Sequence, residues 1–251
     1  GFTWLDSTLT KATFDGKHGQ KLVISSRVFV ITMGALESTK CILGLVDSFG
    51  NKRKNNQPFC DHISAAVGKV VLKDTTDFLS YFSPFFVKGV MKSLRFELSS
   101  NSQLELNVPS AFVHFVSSHR PGSALGLIRT LARKFQGEPI KLTITDFNPI
   151  TVIKDLVLIL WWRVAKNKLI LNHGGAVQVV VDIEQLPNLR NRVSLDESNL
   201  QLSWSVGSED IETVIKTAKC FASAWNSSPE LRSIGDIDLY TECEITASNF
   251  Y

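Results

Sequence analysis

The hydrophobic pattern of the first fifty residues predicts a β-hairpin followed by a strand–turn–helix unit. Residues 9–14 and 21–32 have the composition of strands, and the polar turn at 15–19 separates them. The second predicted strand ends in an unbroken apolar run at 28–31, which indicates burial on both faces of a sheet. From Ala35 onward the apolar residues recur at helical spacing, so a helix follows the glycine at position 34.

The middle of the chain predicts many strands with a few helices between them. Strands are expected at 63–72, 94–98, 104–116, 177–185, 192–195 and 200–205, and Pro109 indicates an edge or a break in the third of these. Helices are expected at 125–135, at 150–166 and from Ser208, which is an N-cap candidate before two acidic residues.

The apolar run at 156–162 lies within the second of these helices and is bounded by charged residues. It is far shorter than the roughly 20 apolar residues that a membrane span needs. The run therefore predicts a buried helix or an amphipathic surface helix, and no transmembrane segment.

Composition excludes some classes of protein and leaves others open. The 251 residues are 44% hydrophobic and carry a net charge of +3, which is typical of a globular protein with a real core. The basic run at 52–54 is too short for a nucleic-acid-binding patch, so no nucleic-acid partner is expected. The four cysteines are widely spaced and the start of the chain has no signal-peptide pattern, so we expect a cytoplasmic protein without a metal site.

The residues alone supply only modest candidates for chemistry. Gly34, between a predicted strand and a helix, lies where open α/β sheets bind ligands, although many such glycines only permit a tight turn. Asp61 and His62 could form an acid–base pair, but a structural hydrogen bond is the simpler interpretation. His114 in a strand and His119 in a loop are expected to be structural or exposed, and the histidine at 173 is expected in a turn. No complete catalytic site is evident, and no catalytic residue is assigned.

Three sequence blocks nevertheless resemble one known family. The block V-I-T-M-G-A-L-E-S-T-K-C-I-L, at 30–43, resembles the V-I-x-A-x-G-A-x-x-[ST]-x-x-L-L segment of the glucose–methanol–choline (GMC) flavoprotein oxidoreductases, which have Ala where Thr32 stands. The block N-Q-P-F-C-D-H, at 56–62, is similar to their G-x-x-F-x-D-H, without its glycine. The block D-I-E-Q-L-P-N-L-R-N-R-V-S-L, at 182–195, is similar to E-Q-x-P-N-x-x-[SN]-R-[VI]-x-L, and an acidic helix start follows at Glu209.

The resemblance implies an α/β plus α+β fold with part of a Rossmann-like FAD-binding domain and a substrate domain built on an antiparallel sheet. Residues 1–62 would belong to the FAD-binding domain, 63–230 to the substrate domain, and 231–251 would return toward the FAD-binding domain. The implied activity is oxidation of the CH–OH group of a small alcohol or sugar-like substrate, with hydride transfer to FAD and an electron acceptor that the motifs leave open. Gly34 and Ala35 would let the backbone approach the cofactor, with Ser38 at the helix start nearby.

Two motifs of the family do not occur in the sequence. These are the glycine fingerprint G-x-G-x-x-G, which holds the pyrophosphate, and the H-P-x-G-T-x-R-M type motif, which carries the catalytic histidine. We therefore expect an interior fragment of a longer protein that is inactive alone. The alternative is a non-catalytic ligand- or partner-binding α+β domain. Its working surface would be the aromatic set at positions 78, 81, 82, 85 and 86, for which core packing is the simpler role.

Overall fold

A computed structural model of the chain describes residues 1–5, 8–47, 56–117, 123–137, 148–170, 176–196 and 199–247. The predicted basic loop at 52–54 and the histidines at 119 and 173 lie outside the described residues.

The described residues form strands and helices that alternate irregularly along the chain. The strands are β1 Phe2–Leu5, β2 Thr8–Asp15, β3 Lys21–Ser25, β4 Asn56–Pro58, β5 His62–Leu72, β6 Phe85–Val87, β7 Val90–Lys92, β8 Phe96–Glu97, β9 Ala111–Ser117, β10 Val177–Glu184, β11 Arg192–Asp196, β12 Asn199–Ser203 and β13 Gly235–Leu239. The helices are α1 Ala35–Asp47, α2 Thr75–Phe82, α3 Ser100–Leu106, α4 Ala124–Phe135, α5 Pro149–Ala165, α6 Ser208–Ser227, α7 Pro229–Ile234 and α8 Glu242–Ala247.

The chain divides into two compact units. Unit 1 comprises residues 1–59 and 188–204, and unit 2 comprises residues 60–187 and 205–251. The domain boundaries expected from the family resemblance stay predictions.

Unit 1 contains two small antiparallel sheets and helix α1. Strands β1, β2 and β3 form a meander, which confirms the predicted hairpin across the turn at 15–19. Strand β11 lies between β12 and β4 in the second sheet, and α1 contacts β11. Helix α1 covers the helical pattern predicted after Gly34.

Unit 2 is organised around a five-stranded antiparallel sheet with the order β13-β5-β10-β9-β8. Strand β10 lies at its centre, and its V-Q-V-V-V-D-I-E sequence is buried at almost every position because strands flank it on both sides. The register between β10 and β5 shifts between Val179 and Val180, where β5 has one additional residue. The extra residue shifts the alternation of β5 by one position, so Ile63 and Ala65 on one side of the bulge and Val70 on the other all belong to the apolar face.

Close approach of strands explains one glycine of this sheet. A Cβ atom on Gly68 of β5 would lie 2.5 Å from the carbonyl oxygen of Asp238 on β13. Only a residue without a side chain lets the two strands approach to hydrogen-bonding distance there. Lys69 and Asp238 then form an ion pair of 3.2 Å across the same strands.

Helix α6 covers the apolar face of the sheet. Val214, Ala218 and Trp225 are at most 1% exposed and belong to the hydrophobic core between the helix and the sheet. The indole Nε1 of Trp225 donates a hydrogen bond of 2.8 Å to the carbonyl oxygen of Gly235, which joins the helix to β13. The helix begins at Ser208, but the N-cap is Gly207 and not Ser208 as predicted, and the N–H of Gly207 donates to Asp210 Oδ2.

An aromatic cluster fills the space between α2, α6 and the sheet. Phe82 lies with its ring centroid 5.2 Å from Phe115 and 5.4 Å from Trp225, and Phe78 lies 5.2 Å from Phe115. Phe78 is 3% exposed, so core packing accounts for it and for Phe82, as the simpler interpretation of the aromatic set predicted. Tyr81 is exposed and does not belong to this core.

Two strand predictions were wrong. Residues 26–34 contain no strand, and Val30 is 79% exposed because no strand among the described residues pairs with this segment. The predicted strand at 104–116 begins only at Ala111, since α3 runs from Ser100 to Leu106. Its C-cap, Asn107, has a left-handed backbone with φ of 50°. The break predicted at Pro109 falls between these two elements.

Helix α5 was predicted to be buried or amphipathic, and the structure shows that burial was the wrong interpretation. Asn148 caps it by accepting hydrogen bonds from the N–H groups of Ile150 and Thr151. Its residues are exposed or only partly buried, although most of them are apolar. Among the described helices, none has both the length and the apolar character needed to cross a membrane.

The fold is therefore a mixed α/β fold with antiparallel sheets. Every strand pair between the described residues is antiparallel. This agrees with the antiparallel sheet expected for the middle of the chain.

Candidate functional site

A polar cluster lies on the face of the five-stranded sheet opposite helix α6. Because side chains alternate along a strand, Ile63, Val113 and Val181 point toward the buried core, whereas Ser64, His114 and Asp182 point the other way. These three polar residues come from β5, β9 and β10, the three central strands. Asp182 lies opposite Ser64 in the register and diagonally from His114.

Asp182 is the centre of this cluster. The hydroxyl of Ser64 donates a hydrogen bond to Oδ1 of Asp182, and Nδ1 of His114 lies 3.2 Å from Oδ2. The His114 contact is at ion-pair distance but too bent for a well-formed hydrogen bond, since Nδ1 has no partner within hydrogen-bond geometry among the described residues. The Asp182 side chain is 12% exposed and that of His114 is 26% exposed, so the cluster is mostly but not fully shielded from solvent.

The electrostatics of the cluster favour the ionised form of Asp182. Burial by itself raises the pKa of this carboxyl group, but the contacts from His114 and Ser64 and the positive charge of Arg95 lower it by more in total. The pKa of Asp182 therefore lies below its ordinary value. The Arg95 guanidinium lies 4.2 Å from the ring centroid of Phe112, the register partner of Asp182 on β9.

This geometry suits hydrogen bonding to a ligand better than nucleophilic catalysis. In a catalytic triad the serine hydroxyl donates to the histidine, which takes up its proton. Here the hydroxyl of Ser64 donates to Asp182 instead, so histidine does not activate the serine. The cluster offers a carboxylate held in place and an imidazole beside it, which can orient a hydroxyl group of a ligand.

A cavity of about 220 Å³ adjoins His114. Its walls are mostly apolar: Phe78, Leu79, Phe82, Pro84, Met91, Leu94 and Phe115, with His114, Ser83, Ser93 and Ser117 as the polar residues. Ser83 is 5% exposed, and its Oγ has no hydrogen-bond partner among the described residues. A cavity with apolar walls and a few polar atoms is typical of a site for a small molecule with an apolar part and a hydroxyl or carbonyl group.

The predicted cofactor-binding residues lie together at the start of α1 in unit 1. Gly34 has a positive φ of 83°, and a Cβ atom there would meet nothing within 4 Å. Ala35 is the first residue of the helix, and the N–H of Ser38 donates to the Gly34 carbonyl oxygen at 3.0 Å. The Ser38 hydroxyl oxygen accepts a hydrogen bond of 3.1 Å from the N–H of Met33, which leaves its own proton able to donate.

The other histidine candidate of the sequence has a local structural role. The N–H of His62 donates to Oδ1 of Asp61 at 2.8 Å, and His62 is the first residue of β5. The carbonyl oxygen of Asp61 accepts from the N–H of Gln185 at 3.1 Å. This arrangement agrees with the structural hydrogen bond that the sequence favoured.

Sequence reasoning missed the cluster of Ser64, His114 and Asp182. It assigned His114 a structural or exposed role, and it treated Asp182 only as part of a motif. The available signal was an aspartate and a histidine, each inside an otherwise apolar strand. These two residues come into contact only because of the register in which β9 pairs with β10. That register cannot be read from either strand's sequence alone.

No group of histidine, cysteine and acidic side chains that could hold a metal ion occurs in the described ranges. All four cysteines are free thiols. Comparisons of the chain with protein-family models, curated proteins and solved structures gave no match.

Proposed function

We propose that the chain is part of an FAD-dependent oxidoreductase that acts on the CH–OH group of an alcohol or sugar-like substrate. The observation that carries this proposal is the turn at Gly34, which presents the N-terminus of α1 with open space beside it. The order of the three sequence blocks supports it, since the same order is found in the GMC oxidoreductases that they resemble. An electron acceptor is not assigned.

The residues at this turn fit a cofactor that carries phosphate and carbonyl oxygens. The first N–H groups of a helix have no partner within the helix and attract such oxygens. Glycine at position 34 leaves room for close approach, and Ser38 can donate its hydroxyl proton. FAD, when bound, would supply the acceptor for the hydride that leaves the alcohol carbon.

Unit 2 would contribute substrate binding. The cavity beside His114 has apolar walls for the carbon skeleton of the substrate, and the unpaired Oγ of Ser83 is a hydrogen-bonding group for an oxygen atom. His114, which contacts Asp182, is one of the residues that line this cavity. We assign no catalytic base within the chain, because the family places that histidine in a motif that the sequence does not contain.

A complete reading frame tests the proposal. We expect it to encode a G-x-G-x-x-G motif after a strand upstream of residue 1, and we expect its product to purify with bound flavin. A reading frame without that motif, or a colourless product that takes up no added FAD, would refute the flavoprotein assignment.

The alternative function is a non-catalytic ligand-binding domain, and the cavity in unit 2 is the observation that favours it. In that case the chain would bind an amphipathic small molecule in the cavity without any flavin, and the turn at Gly34 would be structural only. Calorimetric titration of the purified product with alcohols of increasing chain length, before and after flavin removal, separates the two functions. Tight binding of an alcohol without reduction of flavin, both before and after flavin removal, would favour the alternative.

A further inference from the structure

Helix α5 carries apolar side chains on two opposite sides. On the inner side, Leu158, Ile159 and Trp162 pack against the hydrophobic core of unit 2. The outer side presents exposed apolar residues, namely Ile153, Leu156, Val157, Leu160, Trp161 and Val164. We call these six residues the α5 outer face. A surface helix normally has one apolar stripe and one polar side, so a second apolar side needs a partner that the described part of the chain does not supply.

Helix α4, which packs against α5, also exposes apolar side chains. The two helices pack against each other, and the carboxylate of Asp155 on α5 accepts a hydrogen bond of 3.1 Å from the N–H of Ala124 at the start of α4. Phe135, the last residue of α4, is 90% exposed. Large exposed apolar patches on a protein mark surfaces that bind another protein or a membrane.

The charge of the two helices indicates which kind of partner fits. Residues 124–135 and 149–166 together contain six basic side chains and one acidic side chain. The single acid, Asp155, already accepts the hydrogen bond from Ala124. The ammonium group of Lys166 lies 6.0 Å from the ring centroid of Trp161 at the end of the outer face. Apolar residues with tryptophan at the edge and lysine or arginine around them are typical of helices that lie in the interface of an anionic bilayer.

A second copy of the chain fits this surface less well. A symmetric contact places the same patch of both copies together. Two surfaces with a large excess of positive charge would then face each other, and like charges at an interface are unfavourable. A bilayer with anionic lipid offers both the apolar environment and the opposite charge.

We propose that the α5 outer face, together with α4, binds the surface of a lipid bilayer that contains anionic lipid. The helices lie in the plane of the interface, with the apolar side chains of the outer face among the acyl chains and the exposed Lys154 and Lys166 at the headgroups. With 17 residues and a rise of 1.5 Å per residue, α5 is about 26 Å long, which is less than the roughly 30 Å of a bilayer's hydrocarbon core. The proposal does not depend on flavin chemistry.

Vesicle flotation with the full chain tests the proposal. The probes are vesicles of phosphatidylcholine alone and of phosphatidylcholine with phosphatidylserine, each at low and high salt. We expect the chain to float with the anionic vesicles, and we expect high salt to weaken this binding. The double variant Val157→Glu with Leu160→Glu should bind these vesicles more than about tenfold more weakly, because two buried aliphatic contacts are replaced by charges of the same sign as the lipid.

A matched control shows whether the effect is specific to the α5 outer face. Leu104 on α3 is 80% exposed and lies outside that face, so Leu104→Glu should leave vesicle binding unchanged. The variant Lys154→Gln with Lys166→Gln should reduce binding to anionic vesicles while preserving the fold, as measured by circular dichroism.

Three results would overturn the proposal. The first is failure of the folded chain to bind anionic vesicles. The second is equal loss of binding in the double variant and in Leu104→Glu. The third is a dimer, in light scattering without vesicles, that the double variant converts to a monomer, because the face would then be an interface between copies.

Discussion

The Nδ1 atom of His114 lies 3.2 Å from Oδ2 of Asp182, although Val180 and not Asp182 is its register partner. The contact therefore runs diagonally between adjacent antiparallel strands. Ser64 occupies the other carboxylate oxygen. One carboxylate thus connects the three central strands of the sheet on the face opposite α6.

Replacement of Asp182 tests how far this connection stabilises unit 2. Asp182→Ala leaves the Ser64 hydroxyl without its acceptor in a partly buried site, which costs about 1–3 kcal/mol of unfolding free energy. Asp182→Asn retains an acceptor oxygen and should cost less. Urea unfolding followed by circular dichroism measures both values. Asp15→Ala, at the exposed end of β2, is the control and should change stability by less than about 0.5 kcal/mol. An equally small change for Asp182→Ala would contradict the assigned role.

The lowered pKa of Asp182 predicts a pH dependence of stability. In the folded state this pKa lies below its ordinary value, so the stabilising contribution is fully present above the unfolded pKa of about 3.9. It is lost as the pH falls through the lower folded value. The wild-type chain should therefore lose more stability than Asp182→Asn as the pH falls below about 4. Parallel curves for the two proteins over this range would show that Asp182 is not the group involved.

Gly68 should tolerate no side chain. In Gly68→Ala the new Cβ would lie 2.5 Å from the carbonyl oxygen of Asp238, so β5 and β13 would have to separate, at a cost of at least about 2 kcal/mol. Gly89→Ala is a matched control in the same unit, because its φ of 79° is strained for alanine but no atom lies within 4 Å. It should cost about 1 kcal/mol. Equal losses in chemical unfolding would mean that the strand contact is looser than the structure shows.

Trp225 should contribute through both its hydrogen bond and its volume. Trp225→Phe removes the donor to the Gly235 carbonyl oxygen and leaves a small cavity, with an expected loss of about 2–4 kcal/mol. Trp161→Phe is the comparison, since Trp161 is 51% exposed on α5 and should change stability by less than about 0.5 kcal/mol. Thermal unfolding of the two variants provides the test.

The sequence predicted most of the individual helices and strands. It predicted little of how they pair and pack against one another. The helices α1, α4, α5 and α6 and the strands β5 and β10 follow from the spacing of apolar residues, which is a local property. Residues 28–31 were predicted to be a buried strand because their composition is apolar, but burial requires neighbouring strands, which composition does not supply. The exposed apolar side of α5 was not predicted for the same reason, because an apolar sequence was interpreted as a buried one.

The candidate site residues likewise include a part that was predictable from local sequence and a part that was not. The turn at Gly34 is local in sequence, so a glycine between an apolar run and a helix sufficed to predict it. The cluster at Asp182 brings together residues from positions 64, 114 and 182, and its formation depends on strand register. The cavity that His114 helps to line depends in addition on the packing of α2 against the sheet.

An anaerobic alcohol titration of the product of the complete reading frame tests the central claim most directly. The oxidised flavin absorbance in the visible range is recorded while primary alcohols and sugars are added in turn. We expect at least one alcohol to bleach the flavin and admission of an electron acceptor to restore its colour, since hydride transfer reduces the cofactor. A product that carries no flavin, or a bound flavin that no alcohol reduces, would contradict the assignment.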